Sequence, residues 1–233
     1  MTINLLTIFP EYFETPLMSS IIGKALTSGL VEINVINIRD FAQDKHRVTD
    51  DRPYGGGAGM VMKVEPIDLA LRSLTEPGRI LLTAAKGAMF NQAKALELAK
   101  LSSITIICGH YEGVDERVAQ HLIDEEVRVG DYVLTGGEPA ALVVLDAVIR
   151  LLPGVLGNEA SLSGESHEEP GKLAAPVYTR PEEYRGWRVP EVLLGGHHQQ
   201  IKSWQDDHTQ YEMKVDNQGV RTKVKNATMT KDE

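Results

Sequence analysis

Two glycine turns that each carry a carboxylate are the residues here best suited to hold a small molecule. One is Cys108-Gly109-His110-Tyr111-Glu112-Gly113, after the apolar run 104–107. The other is Thr135-Gly136-Gly137-Glu138, after Tyr132-Val133-Leu134, which reads as a second short strand. A third candidate, Thr83-Ala84-Ala85-Lys86-Gly87, follows the apolar run 79–82. Glycine lets backbone approach a ligand closely, and open α/β sheets bind ligands beyond the carboxyl ends of their strands. None of the three is a GxGxxG or a GxxxxGK[ST], so a dinucleotide or P-loop reading loses its main support. The single cysteine, Cys108, excludes an internal disulfide and a cysteine zinc cluster, and it reads as a small buried side chain. His197, His198 and His208 lack the spacing of a metal-binding helix, so no metal site is expected.

The elements that must position these turns alternate strand and helix. Residues 2–9 are apolar and β-rich. Pro10-Glu11 opens a helix whose apolar positions Phe13, Leu17, Ile21 and Ala25 keep helical spacing, Gly29 closes it, and residues 31–38 read as a strand. Residues 40–60 lack periodicity, first charged and then glycine-rich (Tyr54-Gly55-Gly56-Gly57), and a loop that long in a compact domain is functional or disordered. Helix, strand and helix follow at 66–74, 79–82 and 91–101. Asp115-Glu116-Arg117 starts a short helix, Asp124-Glu125-Glu126 reads as a solvated turn, and residues 138–152 form a helix rich in Ala, Leu and Val. Residues 158–172 have the composition of a linker or lid, and the chain after Trp204 reads as unstructured tail.

The chain has 233 residues, enough for a real core, and no apolar run of membrane-spanning length. A protein of the cytoplasm is expected. Net charge is −9, and residues 158–233 hold ten Lys and Arg against thirteen Asp and Glu. Nucleic-acid binders usually present a basic domain, so charge alone favours a small-molecule enzyme.

The motifs CGHYEGVDERV, VGDYVLTGGEPAAL, RLLPGVLGNEAS and YTRP, with DDRPYGGGAGM at 50–60, resemble the bacterial tRNA (guanine-37-N1)-methyltransferase family of the SPOUT superfamily, from Met1 to about Trp204. The resemblance implies an open, mostly parallel α/β sheet with a trefoil knot near residues 80–140, plus a small helical C-terminal region. It implies a knotted donor domain at 1–157, a lid at 158–172 and a tRNA-contacting region at 173–233. S-adenosylmethionine is the implied methyl donor, tRNA the implied substrate, and a homodimer with sites at the subunit interface the implied assembly.

By the same resemblance, Thr83, Ala84, Ala85, Gly109, Tyr111, Glu112, Gly113, Val129, Gly130, Tyr132, Leu134, Gly136 and Gly137 hold the donor. Asp50, Tyr54, Gly55, Gly56, Gly59 and Arg180 meet the substrate, and Arg150 lies at the guanine. The family's general base is an Asp; Glu165 stands at that position here, and Ala174 or Ala175 replaces a further acidic residue. Methylation of another RNA position, or donor binding with little catalysis, is the alternative.

Overall fold

In the computed structural model, which describes residues 1–157, 164–215 and 221–223, the chain divides into two compact units, Met1–Gly157 and Asn158–Glu233. The first unit runs β1 (Thr2–Thr7), α1 (Glu14–Met18), α2 (Ser20–Thr27), β2 (Glu32–Asn37), β3 (Asp50–Asp51), β4 (Val61–Met62), α3 (Val64–Arg72), β5 (Arg79–Met89), α4 (Gln92–Leu98), β6 (Ser103–Cys108), α5 (Glu116–His121), β7 (Glu125–Arg128) and α6 (Glu138–Ile149). Five strands form one parallel sheet in the order β2-β1-β6-β5-β7. Parallel sheets bury both faces, and the side-chain alternation of β1 and β6 shows how. Ile3, Leu5, Ile104, Ile106 and Cys108 join one core with α2, α4 and α6, while Leu6, Ile8 and Ile107 join another with α3 and α5. The mixed α/β class with a mostly parallel sheet is therefore the observed one.

Several local expectations are corrected. The helix read from Pro10 up to Gly29 is broken: a 3-10 turn at Pro10–Phe13 leads into α1, Ser19 is extended, and Ser20, the first residue of α2, has φ +53. Strand β5 does not end at residue 82. Thr83 and Ala88 both pair with Val127, so the four residues between them bulge out of a strand that then resumes. Asp124-Glu125-Glu126 is no solvated turn. Asp124 accepts a bond from the Ile80 amide at 2.7 Å and Glu125 starts β7, whose carboxylates reach Lys94 at 3.0 Å and Lys86 at 3.5 Å. Tyr132-Val133-Leu134 is not a strand, because β7 already occupies that edge of β5. All three side chains are exposed, Val133 at 86%.

The second unit pairs β8 (Lys172–Leu173) with β11 (Gln210–Tyr211), β9 (Glu183–Tyr184) with β10 (Trp187–Arg188), and β12 (Met213–Val215) with β13 (Arg221–Lys223). Helices α7 (Glu191–Leu194) and α8 (His198–His208) lie between. Among the described residues the chain after Trp204 is thus ordered, and the unit is not purely helical. Trp204 stacks on His208 one turn on, with centroids 4.0 Å apart, and β11 pairs with residues far upstream that no local pattern reveals. Residues 158–163 of the expected lid, and 216–220 and 224–233 of the tail, lie outside the described residues.

The turn that carries Gly113 is followed at once by α5, capped by Asp115. Its Oδ1 accepts from the Arg117 amide at 3.0 Å and from Arg117 Nε at 2.8 Å. The Arg117 side-chain bond, opposed by partial burial and helped by the backbone bond, holds the Asp115 carboxyl below its usual range. A lowered folded pKa gives stability that is present above the unfolded value of about 3.9 and is lost as pH falls through the folded value. Asp115→Asn keeps a cap acceptor and removes the charge. Urea titrations should show it less stable than the parent by about 0.5 kcal/mol at pH 7, with the difference vanishing in acid below the parent's lowered pKa.

Candidate active site

The β6 turn, the β5 bulge and the loop from β7 to α6 enclose a cleft of about 530 Å³ at the carboxyl ends of the strands. A cavity of that size suits one small molecule. Every residue expected to hold the donor lines it: Thr83, Ala84 and Ala85 from the bulge, Gly109, Tyr111, Glu112 and Gly113 from the turn, Val129, Gly130, Tyr132, Leu134, Gly136 and Gly137 from the loop. Leu82, Val114 and Ala140 add apolar surface. The Glu112 side chain adds negative charge, as do Glu116 and Glu126, both of which pair with Lys86.

The bulge is pinned from two sides. Lys86 Nζ donates to Glu116 at 2.6 Å, a bond that raises the lysine's pKa, and Arg128 Nη1 donates to the Gly87 carbonyl. Gly87 itself packs on the β7 backbone, where an added Cβ would lie 2.5 Å from Val127 N.

At most of these glycines the space that a side chain would need is already filled by the protein itself. A Cβ on Gly137 would fall 2.0 Å from Thr83 Oγ1 and 2.8 Å from Cys108 Cα; one on Gly109 would meet the Thr83 carbonyl at 2.9 Å. These glycines let α6 start directly against the ends of β5 and β6. Only Gly113, at φ +132 with open space around a built Cβ, is required by backbone conformation. Beside it Tyr111 holds φ +61, a strained state for a side-chain-bearing residue and one that clusters at functional sites.

What sequence reasoning missed is the polar chain beneath the turns. Glu138, 2% exposed in the first turn of α6, accepts from Thr7 Oγ1 at 2.5 Å, and its other oxygen shares a 2.6 Å hydrogen bond with His110 Nε2. The Thr7 hydroxyl also accepts from the Phe9 amide at 2.9 Å, and the Phe9 ring meets the His110 ring edge-on with centroids 5.0 Å apart. A carboxylate in a helix's first turn is the only sequence signal, and its ordinary reading is dipole complementarity. Burial, and after it the charge of Glu138, push the Cys108 thiol well above its usual range, so it stays neutral.

Of the residues expected at the substrate, Asp50 opens β3, which pairs with β4, and this small ribbon docks on the β6 turn. Glu112 N donates to Met60 O at 3.0 Å, Met62 N to Gly113 O at 2.9 Å, and Asp115 N to Met62 O at 2.9 Å. Gly59 touches the Glu112 side chain, since a Cβ there would lie 2.5 Å from its Cγ. Gly55 and Gly56 carry Tyr54, fully exposed, away from packed structure. Arg150 caps the far end of α6, about 18 Å along the axis from the cleft, given 1.5 Å per residue over its length. Glu165, half-buried, and Arg180, exposed, belong to the second unit. The first unit therefore gathers the residues expected to hold the donor and the 50–62 ribbon, and leaves Arg150 outside the cleft.

A model of the family described as tRNA (Guanine-1)-methyltransferase TrmD matches residues 1–220. The chain belongs to this family. A relative named tRNA (guanine-N(1)-)-methyltransferase from Pelotomaculum thermopropionicum is 52% identical over 209 residues, covering 88% of this chain and 83% of its own. Proteins of the same name from Carboxydothermus hydrogenoformans (53% over 205 residues, 88% of this chain and 81% of its own) and Brevibacillus brevis (52% over 206 residues, 88% and 84%) are similarly close. Family membership makes the chain a tRNA (guanine-N1)-methyltransferase, and no helix among the described residues is long and apolar enough to cross a membrane.

The clamp under the cleft yields a stability test. Glu138→Ala leaves the Thr7 hydroxyl and the His110 ring without this partner in a buried site, at a cost of about 2–3 kcal/mol. Glu138→Gln keeps an acceptor for Thr7 and a polar partner for His110, and should lose less than half of that in guanidinium unfolding.

Proposed function

We propose that this protein transfers a methyl group from S-adenosylmethionine to N1 of guanosine 37 in tRNA, working as a homodimer whose sites are shared between subunits. The observation that carries the reading is the family match over residues 1–220 together with a cleft lined by every residue that the family's motifs assign to the donor. The lining suits this donor: apolar walls, backbone groups from three turns, and the Glu112 carboxylate for a cationic sulfonium. The trefoil knot is part of the reading. It is supported by the path of the chain, which leaves edge strand β7, passes β5 and returns to β6, where Gly137 N donates to Gly109 O at 2.8 Å.

The donor supplies an electrophilic methyl group, so positioning dominates the catalysis that the protein must provide. Guanine N1 carries a proton at neutral pH and must lose it as it attacks. Glu165 is the proposed acceptor of that proton, and Arg150 is the proposed guanidinium that stabilises the negative charge moving onto O6. A paired or stacked guanine must first be turned out into a pocket, and the exposed loop of Tyr54, Gly55 and Gly56 on the ribbon beside the cleft is suited to meet it, with Asp50 at its root. Sharing between subunits is supported by the length of α6, which sets the backbone of Arg150 some 18 Å along the axis from the helix start beside its own chain's cleft.

Labelled methyl transfer into unfractionated tRNA, with the product located by mass spectrometry, tests the reaction and the position. Label in a nucleotide other than guanosine 37 would overturn the assignment. Glu165→Gln should keep donor affinity near the parent and slow single-turnover methylation by roughly 10²–10⁴, the usual contribution of a positioned base. A rate close to the parent's would remove Glu165 from this role. Leu134→Arg, which blocks the cleft, and Arg150→Ala should each be inactive alone and recover activity when mixed, because one composite site of the heterodimer keeps both parts. No recovery after verified subunit exchange would count against a shared site.

A further inference from the structure

The second unit presents a feature that the donor cleft does not use. Strands β9 and β10 form a hairpin whose two-residue turn is Arg185-Gly186, both at positive φ (+55 and +84). Such a turn matches strand twist and makes a tight, rigid tip, with glycine taking the second left-handed position at no steric cost. Register then sorts the side chains. Tyr184 pairs with Trp187 and Glu183 with Arg188, so each pair shares one face of the ribbon.

The Glu183–Arg188 face closes on itself through a 2.7 Å ion pair. The other face does not. Trp187 is 70% and Tyr184 53% exposed, their ring centroids lie 5.9 Å apart at a 55° tilt, and the Arg185 guanidinium stands 5.2 Å over the tyrosine ring. Among the described residues Arg185 makes no ion pair. Two large rings and a cation held in water at the tip of a rigid ribbon cost solubility with no return in folding, which marks an interaction surface.

We propose that the Tyr184–Trp187 face of this hairpin stacks an unpaired nucleotide of the RNA substrate, with Arg185 meeting the phosphate beside it. The inference rests on the reading of the chain as a tRNA methyltransferase and adds to it a contact distant in sequence from the donor cleft. Every base offers a π face to an aromatic platform, and single-stranded loops are where RNA bases are free to be splayed. The face is cationic within a chain of net charge −9, so RNA contact here relies on a few local cations and stacking rather than on a basic domain. Two rings and an arginine would also serve a protein interface, and the reading of the chain as a tRNA methyltransferase decides for the nucleotide.

The chain has two tryptophans, Trp187 and Trp204. In the Trp204→Phe variant Trp187 alone reports, and unfractionated tRNA should quench its fluorescence. Trp187→Ala should weaken tRNA binding about tenfold to a hundredfold, the effect of losing one stacked base, while Trp187→Phe keeps most of the affinity. Affinity for S-adenosylmethionine should stay within twofold in both. If the parent methylates tRNA but Trp187→Ala binds it within twofold and no quenching occurs, this inference fails and the proposed function stands. A parent that neither binds nor methylates tRNA overturns both. A change in oligomeric state with unchanged tRNA affinity assigns the face to a second copy of the chain and overturns the RNA assignment.

Discussion

A single buried carboxylate holds the cleft at the strand ends together. Glu138 takes the Thr7 hydroxyl on one oxygen and His110 on the other, and thereby joins the end of β1, the turn after β6 and the start of α6. A buried carboxyl is tolerated only when its hydrogen bonds are met, and here both oxygens are engaged at the amino end of a helix, where negative charge is favoured. The glycines around it follow from this arrangement. Gly136 leaves room for the His110 ring and the Glu138 side chain, and Gly137 lets the helix begin against Thr83 and Cys108. The cleft is thus shaped from beneath, by side chains that a bound ligand need not touch.

How far the sequence revealed this depends on the range of the interaction concerned. Strand β6 was readable because six consecutive buried residues leave little alternative, and α6 because Ala141, Val144, Leu145 and Val148 repeat at helical spacing. Tyr132-Val133-Leu134 has equal β character and is a loop, since pairing is decided by which segment reaches the free edge of β5, and β7 has it. The return of β5 after its bulge was invisible for the same reason: the second half pairs with the same short partner as the first. Among the site residues, the donor set came from long motifs in order, whereas the Thr7–Glu138 bond spans 131 residues and no local pattern announces it.

Net charge is a poor guide to RNA contact because it does not say where the charges lie. Each ion pair within the fold commits one cation with one carboxylate and leaves the balance unchanged. Asp115 binds Arg117, Glu116 and Glu126 bind Lys86, Glu125 binds Lys94, and Glu183 binds Arg188. What a polyanion meets is the local residue, and at the β9–β10 tip that residue is Arg185. Steering over long distances is correspondingly weak for such a chain, and recognition falls to short-range contacts.

The span of the Thr7–Glu138 bond has a consequence for synthesis on the ribosome. The first strand leaves the exit tunnel long before the residue that satisfies its terminal hydroxyl, and β6, which covers the inner edge of β1, also arrives late. Until β6 is made, the nascent chain carries β1 with one edge unpaired, and until α6 follows, the turn after β6 lacks the Glu138 carboxylate that holds His110. Unpaired edges of this kind are the aggregation-prone part of slow parallel folds. The emerging polypeptide therefore exposes a bare sheet edge until β6 emerges, and a chain truncated before residue 138 lacks the carboxylate that joins the ends of β1 and β6.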